Sequence, residues 1–225
     1  MIKYVIFDKD GTLLDTEIFF YQSWYMTGEK WGLSGMRENY YPNIAGKSEE
    51  LSKKFLNDVY GEDFDSEGFM SERLALVGKM FKEGILLKPG CIEILDFLRE
   101  QGIKIAVATS TADDIAKPNI TRLGLREKID AVVFGNEVKD GKPAPDIFIE
   151  AGKRIGAIPE ETLVVGDSSF DIIGGYRAGM KPVMVIDKNP PSDEARPLCY
   201  KVYNSLFDVI EFIKEENNNN FGGEL

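Results

Sequence analysis

The chain has no histidine and only two cysteines in 225 residues. Without histidine, Ser-His-Asp and Cys-His nucleophile systems, phosphohistidine chemistry and histidine-ligated zinc are all excluded. A general acid or base at neutral pH must then be a carboxylate, lysine, tyrosine or cysteine. A bound metal would be held by oxygen, which points to magnesium rather than zinc. Cys91 and Cys199 are far apart and form no CxxC pair, so free thiols in a reducing compartment are expected, each acting as a small apolar residue. Long apolar runs are also missing. The first, Tyr4 to Phe7, ends at Asp8, and none approaches the ~18 residues that span a bilayer. No signal-peptide pattern precedes it, so a cytoplasmic location is expected. Basic residues are outnumbered 27 to 38, a formal net charge of −11. That balance argues against a nucleic-acid partner and against docking on an anionic membrane. A small anionic substrate stays open to it, because a lysine or a cation can invert the field locally.

Hydrophobic residues make up 43% of the chain and charged residues 29%, the balance of a soluble globular protein. Five short β-rich runs stand out: Tyr4–Phe7, Ile103–Ala108, Ala131–Phe134, Thr162–Val165 and Pro182–Ile186. Their near-continuous apolar character suits strands covered on both faces. Helical patterns fall between and after them, at 91–101, 145–156 and 205–216, the last opening on a Ser205…Asp208 cap. The alternation predicts a doubly wound, Rossmann-like α/β fold with a parallel sheet. Residues 15–88 break the rhythm, being rich in aromatics at helical spacing and without a strong strand. They predict a small inserted helical domain, with residues 1–14 and 89–225 as the α/β core and Lys88-Pro89-Gly90 as the return. The Asn-rich tail from Asn217 is expected to fray. A monomer is the default expectation.

Four polar clusters follow predicted strands or their loops. Asp8 and Asp10, in Asp8-Lys9-Asp10-Gly11-Thr12, stand two apart after the first strand. Two carboxylates this close repel and invite a cation, while Gly11 permits a tight turn. A solvated acidic turn capping a helix is the alternative. Thr109-Ser110-Thr111 offers hydroxyl and N–H groups suited to a phosphate, or to an N-cap. Lys142 leaves a backbone stiffened by Pro143 and Pro145, as a compact charge that can neutralise phosphate or simply sit in a loop. Asp167 and Asp171 are four apart and would share a face if a helix begins there. An acid-rich helix start, with Gly174-Gly175 as a packing feature, is the other reading. A parallel sheet would bring all four clusters to one edge.

In order and spacing these clusters resemble the four motifs of the haloacid dehalogenase-like superfamily: Asp8 to Asp15, then Thr109, then Lys142, then Gly166 to Asp171. The resemblance implies that Asp8 is the nucleophile and a magnesium ligand. It implies that Asp10 is the acid that protonates the leaving oxygen, later the base that activates water, and a ligand through its carbonyl. Thr109 and Lys142 would hold the phosphoryl oxygens with the Ser110 N–H. Asp167 would ligate the metal, and Asp171 would either ligate it or support a ligand. Lys9, between the two aspartates, is expected to point to the other side of the strand.

The 15–88 insert resembles the helical cap of the branch containing phosphoglycolate phosphatases and β-phosphoglucomutases. Gly46 and Lys47 lie in a stretch similar to a substrate-contacting cap turn. Lys47 and Arg73 are candidates to touch a polar substrate, with ordinary surface positions as the alternative. The activity implied is magnesium-dependent hydrolysis of a small phosphorylated metabolite. A β-phosphoglucomutase-like mutase is the rival. It is weakened by Phe20 near the position of the usual cap histidine and by Glu49 where a cap arginine is expected. Dehalogenases lack the second aspartate that Asp10 supplies, and a non-catalytic relative would have lost one of the four motifs.

Overall fold

A computed structural model describes residues 1–45 and 47–221. Contacts divide them into two compact units, Met1–Leu14 with Leu87–Leu225, and Asp15–Leu86. The first unit is an α/β layer structure. Its strands are β1 (Tyr4–Phe7), then, after the short pair β2 (Leu14–Asp15) and β3 (Leu86–Leu87), β4 (Lys104–Thr109), β5 (Ala131–Phe134), β6 (Thr162–Gly166), β7 (Lys181–Val185) and β8 (Lys201–Tyr203). Six form one sheet in the order β5-β4-β1-β6-β7-β8, and every neighbouring pair is parallel. β2 and β3 pair as a separate ribbon where the chain passes between units.

The strands are where the apolar runs put them, with ends shifted by one residue, because central parallel strands are buried on both faces. Ile6, Ala106, Ala108, Val133 and Val164 face one core cluster, while Val5, Phe7, Ile105, Val107 and Val165 are equally buried. β8 carried no run that would predict it: it is a three-residue edge strand whose Lys201 and Val202 are exposed.

The unit's helices are α5 (Cys91–Glu100), α6 (Asp113–Arg122), α7 (Asp146–Ile155), α8 (Ser169–Arg177) and α9 (Leu206–Phe221). On α7, Ile147, Phe148 and Ala151 are buried against the Ile6–Val164 face, as their spacing predicts. Gly174 and Gly175 of α8 are packing positions. A Cβ would press on the Phe148 ring at the first and on Val164 at the second. Ser205 caps α9, its Oγ accepting from Asp208 N at 3.2 Å. The Asn-rich tail from Asn217 continues α9 as far as Phe221. The Asn217 amide accepts from Ile2 N at 2.6 Å and donates to Ile2 O at 3.1 Å, which anchors the turn. Residues 222–225 lie outside the described residues. Cys91 is buried and Cys199 half-buried, and both are free thiols; burial pushes the Cys91 thiol up to about 12.

The second unit holds α1 (Glu17–Lys30), α2 (Met36–Asn43), α3 (Glu49–Tyr60) and α4 (Ser66–Glu83). Its core is aromatic, built on Trp24, Tyr40 and Phe69, with the Trp24 and Phe69 rings edge-to-face at 5.3 Å. Gly28 on α1 is a close-approach position, where a Cβ would run into Met36 of α2. Among the described residues no helix is long and apolar enough to cross a membrane.

Candidate active site

In the sheet, β1 leads to β4 and β5 on one side and borders β6, β7 and β8 on the other. Ligands of open α/β sheets bind at such a reversal, outside the carboxyl ends of the strands. Asp8 follows β1 there, its N–H donating to Val165 O at 2.8 Å, and Asp167 follows β6.

Asp8 is buried. Lys142 Nζ donates to its Oδ1 at 2.5 Å and to the Ala108 carbonyl at 2.8 Å, and lies 2.7 Å from Asp171 Oδ1. The lysine lies in the loop before α7 but is not an exposed cation. It is 2% exposed and sits between two carboxylates. Burial opposes its charge, yet Asp171 and Asp8 together outweigh that and hold its pKa above the usual lysine range. Burial first, and then the charges of Asp171 and Asp10 against the relief from Lys142, push the Asp8 carboxyl up to about 7.

Carboxylate oxygens of Asp8, Asp167 and Asp171 lie within 4.8 Å of one another. Pitch does not bring the latter two together. α8 begins at Ser169 with Ser168 as its cap, so Asp167 precedes the helix and the turn places it. Ser168 Oγ donates to Asp171 Oδ2 at 2.5 Å, which leaves Asp171 Oδ1 to face Lys142. Thr12 Oγ1 donates to Asp167 Oδ1 at 3.2 Å. Gly11, at φ +86°, is needed twice over: a side chain would be strained there, and its Cβ would collide with the Asp167 carboxylate. The donor set is all oxygen, carries excess negative charge and contains no histidine or thiolate. It fits a hard divalent cation such as magnesium.

The Asp10 side chain turns elsewhere. Lys9 Nζ donates to its Oδ1 at 2.5 Å, and Thr111 Oγ1 and Thr109 Oγ1 donate to its Oδ2 at 2.7 and 3.3 Å. The expectation that Lys9 points away is overturned: it is fully buried and reaches back to its neighbour. Thr109 is buried with its hydroxyl between Asp10 and the Thr111 N–H, and Ser110 is exposed. The structure therefore adds Lys9, Thr12, Thr111 and Ser168 to the residues the sequence singled out. Thr111 was visible in the hydroxyl run. Lys9 had no signal beyond its position between two acids.

Of the other sequence candidates, Gly46 lies outside the described residues. Lys47 is half-buried in the turn before α3, and burial pulls its ammonium below the usual range. Arg73 on α4 is not a surface residue. It is buried, with its guanidinium 5.7 and 5.4 Å from the Phe20 and Trp24 ring centres and Nη2 donating to Phe20 O at 3.4 Å. Burial holds its pKa below the usual value.

A sheet-edge site of clustered carboxylates with a buried lysine can hold a cation and an anionic group together, and comparison with known proteins says which class of protein uses it here. The family model of haloacid dehalogenase-like hydrolases matches residues 5–185. A phosphorylated carbohydrates phosphatase of Thermotoga maritima is 31% identical over 80% of this chain and 82% of its own length. Pyrophosphatase PpaX of Halalkalibacterium halodurans is 33% identical over 82% of this chain and 83% of its own. The crystal structure of a hydrolase from Pseudomonas syringae superposes with TM-score 0.83 at 26% identity, covering 95% of this chain and 98% of that one. The chain belongs to the haloacid dehalogenase-like hydrolases, and it is an enzyme of their phosphatase branch.

Proposed function

We propose that the protein hydrolyses a small phosphorylated metabolite in two displacements on Asp8, with magnesium as cofactor. The observation that carries this is the buried Asp8 carboxylate, with Oδ1 held by Lys142 and two further carboxylates within reach of one cation. Asp8, Asp167, Asp171 and the Asp10 carbonyl would hold the ion. When bound it offsets the charge of the carboxylates and of the phosphate.

With Oδ1 engaged by Lys142, Asp8 attacks phosphorus through Oδ2. The bond from phosphorus to the leaving oxygen breaks as the new one forms, and Asp10 donates the proton the leaving oxygen requires. A water then attacks the aspartyl-phosphate, Asp10 takes its proton, and phosphate departs with Asp8 restored. Lys142 neutralises phosphoryl charge throughout, and Thr109 with the Ser110 N–H positions the phosphoryl oxygens. Lys142 has both roles within reach because Asp8 Oδ1 is itself one of its partners.

The Asp15–Leu86 unit is read as the substrate-selecting cap. In it Phe20 packs edge-to-face on Phe81 at 5.6 Å, and Glu49 pairs with Lys53 at 2.7 Å. Neither residue offers the cation or the imidazole a phosphosugar mutase would place there, which favours hydrolysis. A small phosphorylated metabolite, a cytoplasmic location and a monomer complete the reading.

The test is phosphate release from a panel of sugar phosphates, phosphoglycolate and pyrophosphate, with magnesium and with a chelator. The expected result is turnover of one or more compounds, lost with chelator and lost in Asp8→Asn. Turnover that survives in Asp8→Asn would sink the proposal. Glucose 6-phosphate formed from β-glucose 1-phosphate would replace hydrolysis with mutase chemistry.

A further inference from the structure

The site contains a buried cation that the mechanism above does not use. Lys9 is fully buried, and an ammonium removed from water is tolerated only where an opposite charge meets it. Neighbouring side chains on a strand point to opposite faces, so Lys9 and Asp10 can meet only if the chain curls. It does: Leu13 N and Leu14 N both donate to the Lys9 carbonyl, at 3.0 and 2.9 Å, around the left-handed Gly11. The lysine side chain therefore leaves from a pinned backbone and ends 2.5 Å from Asp10 Oδ1.

The other oxygen of Asp10 is held from a different strand. Thr111 Oγ1 donates to Oδ2 at 2.7 Å, more closely than Thr109 does. The Thr111 loop is itself fixed. Its carbonyl accepts from Gly135 N at 3.3 Å, its N–H donates to Thr109 Oγ1 at 3.1 Å, and a Cβ on Gly135 would collide with the Ser110 carbonyl. The plane of the Asp10 carboxylate is thus set from both ends, by a cation on one oxygen and a hydroxyl on the other.

We propose that Lys9 and Thr111 are positioning residues that hold the Asp10 carboxylate for proton transfer to the leaving oxygen. This rests on the role given to Asp10 under the proposed function. A hydroxyl suits the task because it fixes Asp10 Oδ2 by a directional hydrogen bond at 2.7 Å without adding a charge of its own. Lys9 supplies a charged anchor on Oδ1 at 2.5 Å. Lys142 binds Asp8 and Asp171, so the two lysines divide between the two aspartates.

The experiment compares kcat/KM on two substrates that differ in leaving group. One is an alkyl phosphate that the wild type hydrolyses, whose leaving oxygen needs a proton. The other is p-nitrophenyl phosphate, whose leaving group departs without one. Lys9→Met and Thr111→Val are each expected to lose about 30- to 100-fold on the alkyl ester and less than about 3-fold on p-nitrophenyl phosphate, a part of the roughly 10²- to 10⁴-fold that general acid catalysis supplies. Thr111→Ser is expected to restore the alkyl activity. Equal losses on both esters, or no loss on either, would overturn the proposal. If Lys9→Met does not fold, the Thr111→Val and Thr111→Ser pair decides alone. A wild type inert on both esters, or an active Asp8→Asn, refutes the proposed function instead and this inference with it.

Discussion

Each of the two units buries a cation, and they treat it in opposite ways. In the α/β unit Lys142 has two carboxylates and a carbonyl around it, and its charge is held more firmly than in water. In the helical unit Arg73 lies among Phe20, Trp24 and Tyr40, and burial dominates over the attraction of Tyr40 and Glu17. Its Nε is buried with no hydrogen-bond partner. The difference teaches that burial alone does not mark a functional cation. A cation ringed by more acid than it can neutralise marks a place where a further positive charge belongs.

The largest expected effect breaks the core side of this comparison. Asp8→Asn should lower kcat by at least about 10⁴-fold, read by phosphate release, because it removes the proposed nucleophile. Lys142→Met should abolish activity to a similar degree. It should also lower unfolding stability by about 3–5 kcal/mol in chemical denaturation, since it strands two buried carboxylates. Arg73→Met is the matched change in the other unit. With aromatic neighbours to receive the methionine but the buried Glu17 losing a nearby cation, it should cost about 1–3 kcal/mol, less than Lys142→Met, and leave kcat within about threefold. A loss of activity from Arg73→Met that exceeds its loss of stability would make Arg73 a substrate-binding group and remove the contrast.

Glycine substitutions sharpen the same point. Gly11→Ala pushes a methyl group into the Asp167 carboxylate from a strained backbone. It should weaken magnesium activation and cost about 1–3 kcal/mol. Gly28→Ala drives a methyl group into Met36 Cγ, close to the α2 backbone, so it should also destabilise, with the effect confined to the melting temperature.

The pH dependence follows from Asp8. Its carboxyl titrates near 7 in the folded chain and near 3.8 unfolded, so between those values the folded state binds the extra proton. That contribution to stability is full below the unfolded value and is lost as pH rises through about 7. The melting temperature of metal-free wild type relative to Asp8→Asn should therefore fall between pH 4.5 and pH 7.5, and magnesium should restore it at the upper end. A difference that stays flat with pH would show that Asp8 keeps its ordinary acidity. The smallest effect is expected at α9: Asn217→Ala removes two hydrogen bonds to Ile2 and should cost about 1–2 kcal/mol, a few degrees of melting temperature.

Much of this was legible before any coordinates. Five strands announced themselves because a strand covered on both faces needs an unbroken apolar run. β8 did not, because an exposed three-residue edge needs none. Asp8, Lys142 and Asp167 were readable as site residues from residue type and position after strands. Lys9 departs from the expected alternation because β1 ends at Phe7 and the chain turns from Lys9 through Gly11. For Arg73, charge in a helical repeat suggests solvent or a substrate contact, whereas an aromatic core can enclose a guanidinium over its ring faces, as Phe20 and Trp24 do. Asn217 looked like tail composition, yet one side chain satisfies both backbone groups of Ile2.

The sequence by itself determined the α/β class, the oxygen-only donor set and the absence of any histidine chemistry, because these depend on composition and local pattern. Tertiary structure alone decided which carboxylates meet. Asp8 and Asp171 are far apart in the chain and share one lysine, and Asp10 takes its partners from its own neighbour and from the loop after β4. Such contacts depend on strand order and on turns that reverse the direction of a side chain, and neither is written in any one stretch of residues.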